Sequence, residues 1–402
     1  MDLYIYIVQI FKYMHWPLQE NFLDTKTVND LCYFIKSNNR LTQFTKVRNF
    51  EKNFSKWNGS KFSIFVNSGS SANLIMVQSC KEIFKWKNND EIIVPSVTWP
   101  TTVTPVSQSG LKPIFVDVNL EDFSFDYDDL KKKITNKTKA IFVAHLIGFP
   151  ANIKKIKQII GKKKIVLLED CCESQGAKIN KKKVGNFGIA GSFSFYWGHH
   201  MSTIEGGMIC TNNEKFYNLC LLKRSHGLAR ELPLKKQNFY KRKYSKNNFK
   251  FLFLTDGFNL RSTEINAFLG LKMLKKINSW IKIRNDNYKN FTNIIKKYKN
   301  KFKLLKNQKD ISSFVLPFLM INKIDKMKLE NLLNTHGIET RPFIAGNLLR
   351  QPFLSRYSNK NFFNAEIIEH NAFYIGNNQF VNKKRINKLE IILDNFFKIK
   401  KK

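Results

Sequence analysis

What this chain has little of narrows the field before any motif is read. Cysteine is scarce: the six residues Cys32, Cys80, Cys171, Cys172, Cys210 and Cys220 form no C-x-x-C pair and no regular framework. That argues against a disulfide scaffold or a zinc site, and it fits reduced thiols in a cytoplasm with no bound metal. With 10 Pro and 18 Gly in 402 residues, long disordered linkers are not expected. Long hydrophobic runs are also missing. The apolar start "MDLYIYIVQIFKY" is only about a dozen residues, too short to span a bilayer, and it lacks a basic leader and a small-residue cleavage site. It reads as an interfacial segment, or as a start placed upstream of Met14, and no membrane partner is expected.

Acidic residues are the last shortage: 31 Asp and Glu face 68 Lys and Arg, a formal charge of +37. Such an excess raises the question of nucleic acid. The lysines are spread along the whole chain, with clusters at Lys131–Lys133, Lys162–Lys164, Lys181–Lys183 and Lys400–Lys402. Ile, Asn and Phe are abundant as well, as when coding drifts toward A/T-rich codons. No basic-aromatic motif or reading helix accompanies the charge, so no nucleic-acid partner is expected. The positive field favours any anionic substrate.

What is present is enough apolar material, 43% with 36 Phe, for one large core and a smaller second one. From residue 60 the pattern alternates. Strand-like runs at Phe62–Val66, Glu91–Pro95, Pro113–Val118, Ala140–His145, Ile165–Glu169, Ser192–Tyr196 and Met208–Thr211 enclose helical stretches such as Ser71–Phe84 and Ile153–Ile160. Alternation of this kind predicts an α/β fold with a mostly parallel sheet and ligands at the carboxyl ends of its strands. Thr263–Ile277 and Lys282–Tyr298 read as a helical spine into a smaller C-terminal α+β domain. The expected division is an N-terminal extension at 1–20, a large α/β domain at 21–280 and a small domain at 281–402.

Several stretches carry chemistry. "VNSGSSANL" (Val66–Leu74) runs from a strand through Gly69 and Ser70 into a helix, which aims backbone N–H groups at an anion such as a phosphate, or simply caps a helix. "VLLEDCCESQGA" puts Asp170 at the end of a buried strand, where a carboxylate needs a partner; the protonated nitrogen of a pyridine ring is one. "VPSVTWPTT" puts Trp99 just past another strand end, where it stacks on a flat ring or packs in the core. Then comes "SFSFYWGHHMSTIEGG" (Ser192–Gly207).

Taken in order, and with "HLIGFPANI" (His145–Ile153), "RSHG" (Arg224–Gly227) and "GFNLRSTEINAFLGL" (Gly257–Leu271), these motifs resemble the DegT/DnrJ/EryC1/StrS family of sugar aminotransferases. The resemblance runs from about Trp16 to the end. It implies a fold-type I pyridoxal phosphate enzyme with a seven-stranded, mostly parallel sheet. It further implies that Gly69, Ser70 and Ser194 hold the cofactor phosphate and that Trp99 stacks on its ring. Asp170 pairs with the ring nitrogen and Glu173 sits near the ring hydroxyl, where the aminotransferases usually have Gln or His. Asn259 reaches the phosphate of the neighbouring subunit, so a homodimer is implied.

One residue departs from the family pattern. Family aminotransferases carry Lys five residues after the phosphate-binding Ser, and here that position, Ser194 plus five, is His199. Histidine cannot bond covalently to the aldehyde of pyridoxal phosphate, but it can move a proton near neutral pH. The change resembles the sugar 3-dehydratases of the family, which share the His-His pair before E-G-G and a tail like "RPFIAGNLLRQPF" (Arg341–Phe353). The resemblance implies pyridoxamine phosphate or pyridoxal phosphate as cofactor, L-glutamate as amino donor and a nucleotide-linked 4-keto-6-deoxy sugar as substrate. His199 is then the base for loss of the C3 hydroxyl, a step in deoxysugar and surface-polysaccharide synthesis. His200 reads as a packing residue beside it; His145 and His226 match family motifs without an assigned role.

Three alternatives stay open. An iron–sulfur 3-dehydrase also has His for Lys, but it needs a four-cysteine cluster, and only Cys210 and Cys220 follow His199. A sugar aminotransferase and a binding protein that has lost its activity are the others. Against the last stands the joint retention of Trp99, Asp170, Ser194 and Asn259.

Overall fold

The computed structural model describes residues 15–305, 310–357 and 362–397; the apolar stretch before Met14 lies outside them. Two helices, α1 (Thr25–Lys36) and α2 (Thr45–Asn58), precede the alternating segment. Then come β1 (Phe62–Val66), α3 (Gly69–Ile83), β2 (Glu91–Pro95), α4 (Pro100–Gln108), β3 (Lys112–Val116), α5 (Tyr127–Lys133), β4 (Thr138–Ala144), α6 (Ile153–Ile160) and β5 (Val166–Asp170). Polar caps start several helices. Asp24 Oδ1 accepts from Thr27 N at 2.7 Å, Ser68 Oγ from Ser71 N at 3.1 Å and Asn152 Oδ1 from Lys155 N at 3.0 Å, each satisfying a first-turn donor. In α6 the buried face is Ile153, Ile156 and Ile160, the spacing of one apolar stripe.

After a two-residue hairpin, β6 (Lys178–Ile179) and β7 (Lys182–Lys183), the chain adds β8 (Ala190–Ser194) and β9 (Gly207–Thr211). The large sheet has seven strands in the order β1-β9-β8-β5-β4-β2-β3. All pairings among β3, β2, β4, β5 and β8 are parallel; β9 alone runs against both its neighbours. The carboxyl ends of the other six strands therefore lie along one edge. Register then sets the neighbours there: Gly207 faces both Val66 and Ser194, Asp170 faces Ala144, and Asp170 also pairs with Ser192.

The strands expected from sequence are all present. β4, β5 and β8 each lie one or two residues nearer one end than their apolar runs suggested, because ladder pairing, not hydrophobicity, sets where a strand stops. Helix α3 begins at Gly69 instead of Ser71 because Ser68 caps it.

Next come α7 (Glu214–Arg224), α8 (Leu234–Lys243), α9 (Glu264–Leu274) and α10 (Ile277–Lys296). Phe50 and Phe54 of α2 meet Phe65 and Phe193 of the sheet and Phe195 just past β8 with ring centroids 4.9–5.4 Å apart, an aromatic layer that buries one sheet face. Helix α10 leads to a three-stranded antiparallel sheet, order β10-β12-β11, of β10 (Val315–Leu319), β11 (Thr340–Pro342) and β12 (Ala372–Gly376). Helices α11 (Lys323–Thr335), α12 (Phe363–Asn371) and α13 (Lys383–Phe396) complete this smaller α+β part. Residues 15–20 run beside it. Trp16 is fully buried, its indole Nε1 donates to Gly376 O at 3.0 Å, and its backbone exchanges bonds with Gly337 and Glu339. Among the described residues no helix is long and apolar enough to cross a membrane.

Candidate functional site

The carboxyl edge of the large sheet, the small sheet and the strap at Leu18–Gln19 enclose a cavity of about 700 Å³. Of the residues singled out from sequence, Gly69, Ser70, Trp99, Asp170, Glu173, Ser194 and His199 all line it; Asn259 does not.

One end is a cradle. A helix leaves its first-turn N–H groups without partners inside the helix, and at α3 these belong to Gly69 and Ser70. A Cβ on Gly69 would come within 2.6 Å of Ser194 Cβ and 3.0 Å of Cys172 Sγ, so only glycine lets β8 approach this helix start. Gly207 keeps the other side equally tight: a Cβ there would lie 2.2 Å from Ser68 O. Backbone donors, the Ser194 hydroxyl and the positive end of a 15-residue helix form an arrangement suited to a phosphate. Trp99 follows β2 as the residue that caps α4; it is 55% exposed and lines the cavity, so its ring is not a core residue.

Asp170 ends β5 and is 7% exposed. Its Oδ2 accepts from Asn73 Nδ2 and from Thr102 Oγ1, each at 2.8 Å, and its Oδ1 from Cys172 N at 3.1 Å. Thr98 Oγ1 lies 2.8 Å from Thr102 Oγ1 and backs that hydroxyl. Three donors fix the carboxylate's orientation with one edge toward the cavity. Sequence reading missed Asn73 and Thr102. Their signal was available in "SSANL" and "WPTT", but their contact with Asp170 spans 97 and 68 residues.

Glu173 lies half-buried in the cavity and accepts a bond from Ile147 N at 2.8 Å. Burial, with the nearby Asp170 carboxylate, pushes its pKa up to about 8, so the side chain is mostly protonated at neutral pH. Ile147 supplies its N–H from a left-handed backbone, φ 46°, a shape the "HLIGFP" turn provides.

His199 lies in the turn after β8, half-buried on the cavity wall. Its ring stacks on Phe314, centroids 5.2 Å apart and 27° between planes, and its Nδ1 has no hydrogen-bond partner. Burial, then the positive Arg284, bring its pKa down to about 3, so the imidazole is neutral. His200 points away from the cavity, with Nε2 2.9 Å from Ser312 O. Among the described residues, no lysine lines the cavity.

The remaining motif residues serve the frame. His145 Nδ1 accepts from Ala151 N at 3.0 Å, which leaves Nε2 to meet Glu169 Oε2 at 3.1 Å. Glu169 also accepts from Gly185, Phe187 and Gly188 N–H groups, and these bonds outweigh its burial to keep it ionised. The pair locks the strand end that carries Asp170. Arg224 is buried and paired with Glu51 at 2.6 Å, and Glu264 accepts the N–H groups of Phe44, Lys46 and Val47 at the start of α2. His226 is exposed.

Above the cradle the cavity is walled by Glu339 and Arg341, bonded to each other at 2.8 Å, by Tyr374, and by Leu18 and Gln19. Glu339 also accepts from Leu18 N at 3.0 Å, which ties the strap to the small sheet. The site thus has a phosphate-sized cradle, an open aromatic face, an oriented carboxylate and a neutral imidazole. These residues fit a pyridine-ring cofactor that carries a phosphate.

Comparison with known proteins gives a consistent result. Residues 23–389 match the DegT/DnrJ/EryC1/StrS aminotransferase family. The GDP-4-keto-6-deoxy-D-mannose 3-dehydratase of Escherichia coli O55:H7 is 37% identical over 372 residues, 89% of this chain and 95% of that protein. Two solved structures of GDP-4-keto-6-deoxymannose-3-dehydratase, a point mutant with bound GDP-perosamine and a form with a trapped PLP-glutamate geminal diamine, superpose with a TM-score of 0.87. Both are 34% identical and cover 94% of this chain and 100% of theirs.

Proposed function

The chain belongs to the DegT/DnrJ/EryC1/StrS aminotransferase family, and from that premise we propose that it is a pyridoxal-phosphate-dependent 3-dehydratase of a nucleotide-linked 4-keto-6-deoxy sugar. The substrate named for its relatives, GDP-4-keto-6-deoxymannose, is the form we assign to it. One observation carries the reading: the position of the aminotransferase lysine holds His199, and among the described residues no lysine lines the cavity to replace it. A site without that amine cannot hold the cofactor covalently, yet Gly69, Ser70, Trp99, Asp170, Glu173 and Ser194 line the cavity together.

When bound, the cofactor supplies an amine for the C4 ketone and an electron-accepting ring that makes departure of the C3 hydroxyl feasible. The protein's part is positioning and proton transfer. Gly69 and Ser70 N–H groups and the Ser194 hydroxyl would hold the phosphate, and Trp99 would offer its exposed ring to the cofactor. Asp170, oriented by Asn73 and Thr102, would accept a hydrogen bond from the ring nitrogen and favour its protonated form. Glu173, protonated at neutral pH, donates toward the ring oxygen. His199 lines the cavity and is neutral, so it can accept a proton on its imidazole and return it later. L-Glutamate as amino donor is supported by the PLP-glutamate geminal diamine trapped in the similar structure. The working unit is a homodimer in which Asn259 serves the partner's cofactor phosphate.

The test is incubation with pyridoxal phosphate, L-glutamate and a set of 4-keto-6-deoxy sugar nucleotides, read by mass spectrometry. The expected product has lost the C3 oxygen, and borohydride treatment of the loaded enzyme leaves no pyridoxyl group on any lysine. His199→Asn is expected to bind cofactor and lose product formation by roughly two to four orders of magnitude. An aminated sugar as the main product, or a labelled lysine peptide, would overturn the reading.

A further inference from the structure

Arg284, on α10, is 1% exposed and has no carboxylate partner among the described residues. A buried cation without an anion is costly, and burial lowers even this guanidinium to about 9. Its acceptors are three backbone carbonyls: Phe314 O at 3.0 Å, Asn377 O, and His199 O at 3.4 Å. Its Nε has none. Two of those carbonyls belong to the segments that enclose the His199 ring: the residue itself, and Phe314, whose ring stacks on it. The third, Asn377, returns the contact, donating to Arg284 O and to Ser313 Oγ at 2.9 Å each. One guanidinium thus joins the turn after β8, the segment leading into β10 and the end of β12.

We propose that Arg284 is a positioning residue for His199, fixing the imidazole against Phe314 through the two carbonyls and placing a positive charge behind the ring. The inference rests on the reading of His199 as the base. The charged and titratable groups around His199 are few. Arg284 faces it from α10; His200 and Tyr196 belong to its own turn, and the 312–314 segment brings no charge. Asp170, Glu173, Glu205, His145, Cys172, Glu339, Arg341 and Tyr374 line the same cavity, and none of them bonds the imidazole. Among the described residues no acid hydrogen-bonds the ring, and the depressed pKa of His199 has burial first and this cation second as its causes. The anionic diphosphate of a bound sugar nucleotide acts in the opposite direction and raises basicity when substrate is present.

The chain has seven histidines, few enough to follow by NMR of histidine-labelled enzyme loaded with cofactor, with His199→Asn assigning the signal. In the native enzyme the His199 signal is expected to titrate below the ordinary histidine range. In Arg284→Gln, which keeps donors but loses the charge, its midpoint is expected to rise by about one pH unit or more. In Arg284→Lys, which keeps the charge, it stays low. Arg284→Met carries the same neutral test should the Gln variant not fold. The acid limb of kcat/KM is expected to move with the midpoint. A neutral variant that titrates like the native enzyme, or a Lys variant that shifts as far as the neutral ones, overturns the inference. If the midpoint moves and the acid limb does not, Arg284 still controls His199 and it is the assignment of His199 as base that fails.

Discussion

Glu173 shows what a single residue's surroundings decide. Its place three residues after Asp170 was legible in the sequence; its protonation was not, because that depends on the cavity wall and on Asp170's charge. With a folded pKa near 8 against an ordinary carboxyl value of 4.5, the native state binds more protons than the unfolded chain between those values. Stability of the cofactor-free protein therefore falls as pH rises from about 4.5 to about 8. Glu173→Gln removes the titration, so the variant's urea midpoint relative to native is expected to be higher at pH 8 than at pH 5. Equal differences at the two pH values would show that Glu173 is ionised at neutral pH. Asn73 and Thr102 teach the same lesson, since a buried amide and a hydroxyl become meaningful only beside Asp170.

At the scale of elements, the strand-to-helix turn into α3 is the part most dependent on one side chain, because Gly69 has none. Adding a methyl group forces it against Ser194 and Cys172, and overpacking of this kind costs about 1–3 kcal/mol. Gly69→Ala is expected to stay folded with a lower melting temperature and to retain cofactor at least tenfold less tightly, measured by absorbance after gel filtration. An unchanged cofactor affinity would remove the turn from the binding site. The alternation of short apolar runs with capped helices made this element, and most of the large sheet, readable in advance. The small sheet was less so, because β10 carries Pro317 at its centre and β11 is only three residues ending in Pro342, both weak strand signals. The closing of residues 15–20 against it rests on Trp16, whose burial no local pattern announces.

At the scale of the whole molecule, Asn259 is exposed and lies outside the cavity of its own chain, hydrogen-bonded at Oδ1 by Arg261 Nε at 3.1 Å. If it serves the partner's cradle, Asn259→Ala weakens cofactor retention while leaving the thermal stability of the monomer fold nearly unchanged, and dilution to monomer releases cofactor from the native enzyme. Full cofactor binding by a monomer verified by light scattering would contradict the shared site. The sequence by itself determined the strand and helix order, the sequence of site motifs and the absence of lysine at 199, because backbone propensities, caps and turn glycines act over a few residues. Tertiary structure alone decided which carboxyl keeps its proton, that Asp170 is clamped by Asn73 from 97 residues away, and that a buried Arg284 stands behind His199. Those properties depend on desolvation and on charges brought close by packing, and neither exists until the chain has folded.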